Sequence, residues 1–118
     1  MRFRNLFFVC SDLGRSEVFY RALGLALLRR GQRSLVFDLG GSELHLHLPL
    51  SADEEERYQV GPPGPAPGCV VCLHTTDLEA RAAFLPSECV RIPPGPAPWG
   101  GSMMLVADPD GRLLELSE

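Results

Sequence analysis

No apolar run in this 118-residue chain is long enough to cross a bilayer. Phe7 to Cys10 is too short for the core of a secretory leader, and no small-residue cleavage pattern follows it. Basic charge is scarce: the net charge is -4, the sequence pI is about 5.3, and only Arg29-Arg30 with Arg33 form a cluster. That excludes the basic stripe on which phosphate-backbone binding depends. Cysteine is limited to four residues, of which Cys69 and Cys72 form a CxxC with no second pair after it. On a strand those two thiols point to opposite faces, which a zinc knuckle cannot use. All four are read as reduced core or surface residues, and the chain is expected to be cytoplasmic, without nucleic-acid or membrane partners.

What remains is an ordinary globular composition, 45% hydrophobic, of a length that forms one domain with a core. FRNLFFVC (3–10) is aromatic and β-branched and reads as a strand. Ser11 and Asp12 offer N-cap chemistry to a helix over 13–23, with Leu13, Val18, Phe19, Ala22 and Leu23 as its buried stripe and Gly24 as its stop. Short strands follow at 25–30, 34–39 and 42–48. In the last of these Leu44, Leu46 and Leu48 alternate with Glu43, His45 and His47, giving one core face and one polar face. Ser51 to Glu54 fits a capping box for an acidic helix over 52–58, and GPPGPAPG (61–68) reads as a polyproline-like connector.

The same order of elements then returns: a strand at 69–75, a helix from the Asp77 cap to about Leu85, a strand at 88–92, a Pro/Gly stretch at 93–98, and a hairpin of 103–107 and 112–117. Its turn, Asp108-Pro109-Asp110-Gly111, has Pro to preset φ, Asp side chains to bond nearby N–H groups, and Gly to accept positive φ. The halves align residue by residue. Asp12-Leu13 matches Asp77-Leu78 and Phe19 matches Phe84 at an offset of 65; Gly41, Leu44 and Leu46 match Gly111, Leu114 and Leu116 at an offset of 70. His45 then falls on Glu115, and Asn5 on Val70. One helix covers one face of each sheet, so His45, His47 and Glu115 are left on the other. The expected architecture is α+β: a single domain, 1–118, of two βαβββ modules (1–50 and 69–118) joined by the 51–68 segment, their curved sheets paired about a cleft.

SDLGRSEVFYRALGL in the first half, TDLEA at the second helix, and PWGG with DPDGRLLEL at the end resemble the vicinal oxygen chelate superfamily. That superfamily holds glyoxalase I, bleomycin-resistance proteins and extradiol dioxygenases. The resemblance implies a small-molecule site between the modules and a homodimer. In metal-using members it implies a divalent ion such as Zn, Mn, Fe or Ni, held by the first and last strands of each module. Here the last-strand positions are His45 and Glu115, both competent ligands, and Glu115 is the candidate catalytic proton shuttle. The first-strand positions are Asn5, with a carbonyl oxygen on a short side chain, and Val70, with no donor. Asn5, Phe7, His45, His47, Trp99 and Glu115 are the expected ligand-binding residues. Two readings stay open: a small-molecule binder of bleomycin-resistance type with a reduced or metal-free site, and a metal-dependent glyoxalase-type lyase or isomerase, or a dioxygenase, using His45 and Glu115.

Overall fold

The protein, described in full over residues 1–118 by a computed structural model, divides into two compact units, Met1–Gly64 and Pro65–Glu118. The first contains β1 (Asn5–Val9), α1 (Leu13–Ala22), β2 (Leu27–Arg30), β3 (Ser34–Asp38), β4 (Glu43–His47) and α2 (Ala52–Tyr58). The second contains β5 (Val71–His74), α3 (Leu78–Phe84), a 3-10 turn at Ser87–Cys89, β6 (Val90–Pro96), β7 (Ser102–Ala107) and β8 (Leu113–Ser117). Within the 51–68 segment, α2 falls in the first unit and Pro65 to Gly68 in the second.

Each unit holds one four-stranded sheet, in the orders β1-β4-β3-β2 and β5-β8-β7-β6. The first and last strands of each βαβββ run pair in parallel and the rest are antiparallel. The internal repeat is therefore structural: Phe7 faces His45 across β1 and β4, and Cys72 faces Glu115 across β5 and β8, at the offsets read from the sequence. The helix starts repeat as well. Asp12 Oδ1 accepts the Arg15 N–H at 2.9 Å, and Asp77 Oδ1 accepts the Ala80 N–H at 2.9 Å. Each cap satisfies one of the orphan donors that a helix N-terminus leaves. In α2 both halves of the expected capping box are formed between Ser51 and Glu54.

The leucine face of β4 is core, with Leu44 and Leu46 fully buried beside Leu35, Phe37 and Tyr20. Burying each such side chain contributes about 1.5–3 kcal/mol. In the second unit Leu114, Leu116, Met104, Val106 and Leu78 play that part. An Arg30–Glu17 ion pair (2.7 Å) links β2 to α1.

Two expectations are corrected. The buried stripe of α1 runs through Ser16, Phe19 and Tyr20 to the capping Leu23, while Val18 is 67% exposed and Leu13 and Ala22 are only half-buried. The stripe follows the i, i+3, i+4, i+7 geometry, and that spacing places position 18 outside it whatever its hydrophobicity. The second correction concerns the third strand of the second module. It does not stop at Ile92: residues 87–89 form a 3-10 turn and β6 continues through Pro93, Pro94 and Pro96. The prolines are tolerated because β6 is an edge strand with register shifts at Val90/Ile92 and Ile92/Gly95, so several of its positions owe the ladder no N–H.

The DPDG turn is tighter than its motif alone implies. Asp108 is buried; its Oδ1 accepts the N–H groups of Asp110 (3.0 Å) and Arg112 (2.9 Å), and its Oδ2 accepts from the Arg112 guanidinium at 3.0 Å. Gly111 has φ 86° and closes the turn by donating to the Asp108 carbonyl at 2.9 Å. A Cβ at this position would also sit 3.3 Å from the Pro65 ring.

Candidate functional site

The polar face of the first sheet is built in rows. Phe7, His45 and Val36 lie side by side on β1, β4 and β3, with Arg29 of β2 beside Val36; the next row carries Asn5, Glu43 and Asp38. Glu43 is the hub. Its Oε2 accepts from Arg29 at 2.8 Å and from His45 Nε2 at 2.7 Å. Those two donors, Arg29 first, hold the Glu43 carboxyl down at about 2. An ionised carboxylate only accepts, so His45 Nε2 is the donor in that contact. His47, on the same face, donates from Nδ1 to the Leu48 carbonyl (2.6 Å).

Phe7 and His47 stack, with ring centroids 6.0 Å apart and planes 30° from parallel. They form one wall of a cavity of about 490 Å³ whose other walls are Leu50, Glu54, Tyr58 and Val60. The chain reaches this arrangement because α2, started by its capping box directly after β4, brings Glu54 and Tyr58 over the His47 end of the strand. The Ser51 backbone N–H and then its hydroxyl lower the Glu54 carboxyl below the usual carboxylate range.

The expected residues therefore separate. Phe7 and His47 come together in one cavity. His45 adjoins Phe7 across the strand pair but is committed to Glu43. Asn5 lies opposite Glu43 and is half-buried. In the second unit Glu115 is half-buried between Cys72 on β5 and Leu105 on β7, while Cys72 and His74 are exposed. Trp99 is 65% exposed in the turn after β6. All four cysteines are free thiols, Cys10 buried and Cys69 and Cys72 exposed.

The expected set of metal ligands is incomplete. Of the four expected ligand positions, Val70 offers no donor and Asn5 only a carbonyl oxygen on a short side chain; the His45 contact with Glu43 is one that a ligating histidine also makes through its second nitrogen. A cation placed beside Glu43 would face a guanidinium held on the same oxygen. No group of three or more His, Cys, Asp and Glu side chains is arranged to hold a metal.

Sequence reasoning missed Glu43, Arg29, Leu50, Tyr58 and Val60. Glu43 and Arg29 are joined across β3, with a register shift between Leu27 and Arg29 that no sequence pattern announces. For Tyr58 a signal existed: an aromatic residue at the end of an otherwise acidic helix that begins directly after the HLH strand.

Two βαβββ units, each closing its first strand on its last, define a two-module α+β protein. The chain belongs to the Glyoxalase/Bleomycin resistance protein/Dioxygenase superfamily, whose family model matches residues 2–116. It is 27% identical over 118 residues to the glyoxalase domain-containing protein RDO1 of Mycosarcoma maydis, covering 96% of this chain and 65% of that protein. The chain thus spans slightly less than two thirds of that curated relative's length. Among solved structures it is similar to a protein of unknown function from Agrobacterium tumefaciens str. C58, with TM-score 0.81, 25% identity, and 100% and 94% of the two chains covered. It also shares its fold with a bleomycin-binding protein solved in complex with bleomycin, with TM-score 0.60, 24% identity, and 100% and 97% covered. No helix is long and apolar enough to cross a membrane.

Proposed function

We propose that this protein binds a small planar aromatic molecule without a metal, in the cavity walled by Phe7 and His47. The observation that carries the reading is the stacked Phe7–His47 pair inside a mostly apolar cavity of about 490 Å³. Such a cavity holds a small ligand through ring stacking and burial, and a few polar groups orient it. The Glu54 carboxylate supplies an acceptor in the cavity wall. The preferred ligand is therefore a donor-bearing ring, such as an aromatic amine. The bleomycin complex of the fold neighbour supports small-molecule capture as a use of this fold.

Asn5 and His45, on the same sheet face as Phe7, are further candidate contacts in this reading, and Trp99 and the Glu115 carboxylate are candidate ligand-binding residues of the second unit. A cytoplasmic homodimer belongs to the same reading. It is supported by the four free thiols and by the exposed apolar side chains of Val18, Phe84 and Ile92. The missing donor at Val70 supports this reading over the alternative, a glyoxalase- or dioxygenase-type metal enzyme using His45 and Glu115.

The test is fluorescence titration of 9-aminoacridine, a planar aromatic amine, with purified protein in the presence and absence of EDTA. Saturable binding that EDTA leaves unchanged, and that Phe7→Ala weakens about tenfold (a loss of about 1.4 kcal/mol), is the expected result. Binding that EDTA abolishes, or that Phe7→Ala leaves intact, overturns the proposal.

A further inference from the structure

A second cavity, separate from the Phe7–His47 one, opens at the end of the first sheet where the chain enters β1. It is a shallow space of about 910 Å³. Its charged lining is Arg2, Arg4 and Arg29 against Asp38 and Glu43, and its apolar lining includes Phe3 and Leu28. The acids are already engaged: Glu43 accepts from Arg29 and His45, and Asp38 accepts the Gly40 N–H at 2.8 Å. Arg29 is engaged with Glu43, whereas the guanidiniums of Arg2 and Arg4 have neither a hydrogen bond nor an ion pair. Arg4 is nevertheless held in place through its backbone, whose carbonyl accepts the Glu43 N–H at 3.2 Å. Phe3 and Leu28, 65% and 47% exposed, supply unspent apolar surface beside these guanidiniums.

The charge balance is unusual for this chain. The protein carries a net charge of -4, yet this cavity has three cations to two anions. All eleven of the chain's basic residues are arginine, the side chain whose planar fork matches a carboxylate with two parallel hydrogen bonds. We propose that the Arg2–Arg4 cavity binds a small organic monocarboxylate, its carboxylate on the two unpartnered guanidiniums and its apolar body against Phe3 and Leu28. A monoanion is favoured over a phosphate dianion because the cavity's excess is a single positive charge, and Asp38 and Glu43 repel a second negative one. This site uses none of the residues that wall the Phe7–His47 cavity, so it stands or falls separately from the function proposed above.

The experiment is an NMR titration with 2-naphthoate, following the arginine side-chain N–H resonances, run in parallel with inorganic phosphate. The variants are Arg2→Gln with Arg4→Gln, both outside any strand or helix, and Phe7→Ala. Expected is saturable binding of naphthoate that weakens about tenfold in the double Arg variant and is unchanged in Phe7→Ala. Raising salt from 50 to 500 mM weakens it further, as exposed charge pairs require. Backbone amide shifts that match the wild type show that the double variant keeps its fold. Three results each overturn the proposal: no saturation by naphthoate, equal affinity in the double variant, or phosphate binding as tightly as naphthoate. Loss of binding in Phe7→Ala with the double variant unaffected would overturn it too, by assigning naphthoate to the other cavity.

Discussion

The two modules share a backbone but not a sheet face. Both start their helix on an aspartate cap of the same length, and both pair first strand to last in the same register. Across the faces turned from the helices, the first module sets Phe7, His45, Val36 and Arg29 in a row that ends in charge. The corresponding row of the second is Cys72, Glu115, Leu105 and Ile92, mostly apolar around one carboxylate. The repeated positions are those the backbone needs: caps, turn residues and the leucines of the core face. The positions that diverge are those the fold leaves unconstrained, and there the candidate chemistry sits.

The largest expected break in the symmetry is at Phe19 and Phe84, the aligned aromatic residues of α1 and α3. Phe19 is 3% exposed and Phe84 69%. Phe19→Ala should cost about 3–5 kcal/mol in urea unfolding through the cavity it leaves, and Phe84→Ala about 0.5 kcal/mol or less. A concentration-dependent loss at Phe84→Ala, read by sedimentation, would show that side chain buried in a dimer.

Next come Asp38 and Asp108, which the repeat also aligns. Both accept a backbone N–H two residues on, at 2.8 and 3.0 Å, but Asp38 is exposed while Asp108 is buried against Arg112. Asp108→Ala leaves a buried guanidinium without its closest carboxylate and should cost about 3 kcal/mol; Asp38→Ala should cost about 1 kcal/mol or less. Similar losses at the two sites would mean that the Asp108–Arg112 pair adds nothing beyond the turn.

The smallest effect separates the two faces by pH. Glu43 has its carboxyl depressed from 4.5 to about 2 by Arg29 and His45, and the repeat places Leu113 at its counterpart. A depressed carboxyl stabilises the folded state above its unfolded pKa and loses that contribution as pH falls through its folded one. The wild type should therefore lose, between about pH 4.5 and 2, an advantage over Glu43→Gln that is constant above pH 5. Parallel urea midpoints for the two proteins across that range would remove Glu43 as the hub.

Much of this was legible in the sequence. The alternation of leucine with His45 and His47, the aspartate caps, the capping box of α2 and the DPDG turn are local signals, and the elements they mark formed within two residues of their expected places. Burial on α1 was less legible, because Val18 is more hydrophobic than Ser16 yet lies off the stripe that Tyr20 and Phe19 define. β6 was hidden by its prolines, which only an edge position excuses. The Arg29–Glu43–His45 contact depends on β2 lying beside β3 in a shifted register, information that exists only once the sheet is assembled.

The parallel pairing of first strand with last sets the order in which each module can fold. Phe7 meets His45, and Cys72 meets Glu115, across about forty residues of chain, whereas β2-β3-β4 and β6-β7-β8 are joined by short turns. Closing the longer loop costs more chain entropy and comes after the local hairpins are in place. The strand docked last in each module is then the one that brings Phe7 or Cys72 to its partner. A chain that has collapsed its three-stranded meander but not yet closed it carries most of its core and no stacked Phe7–His47 pair.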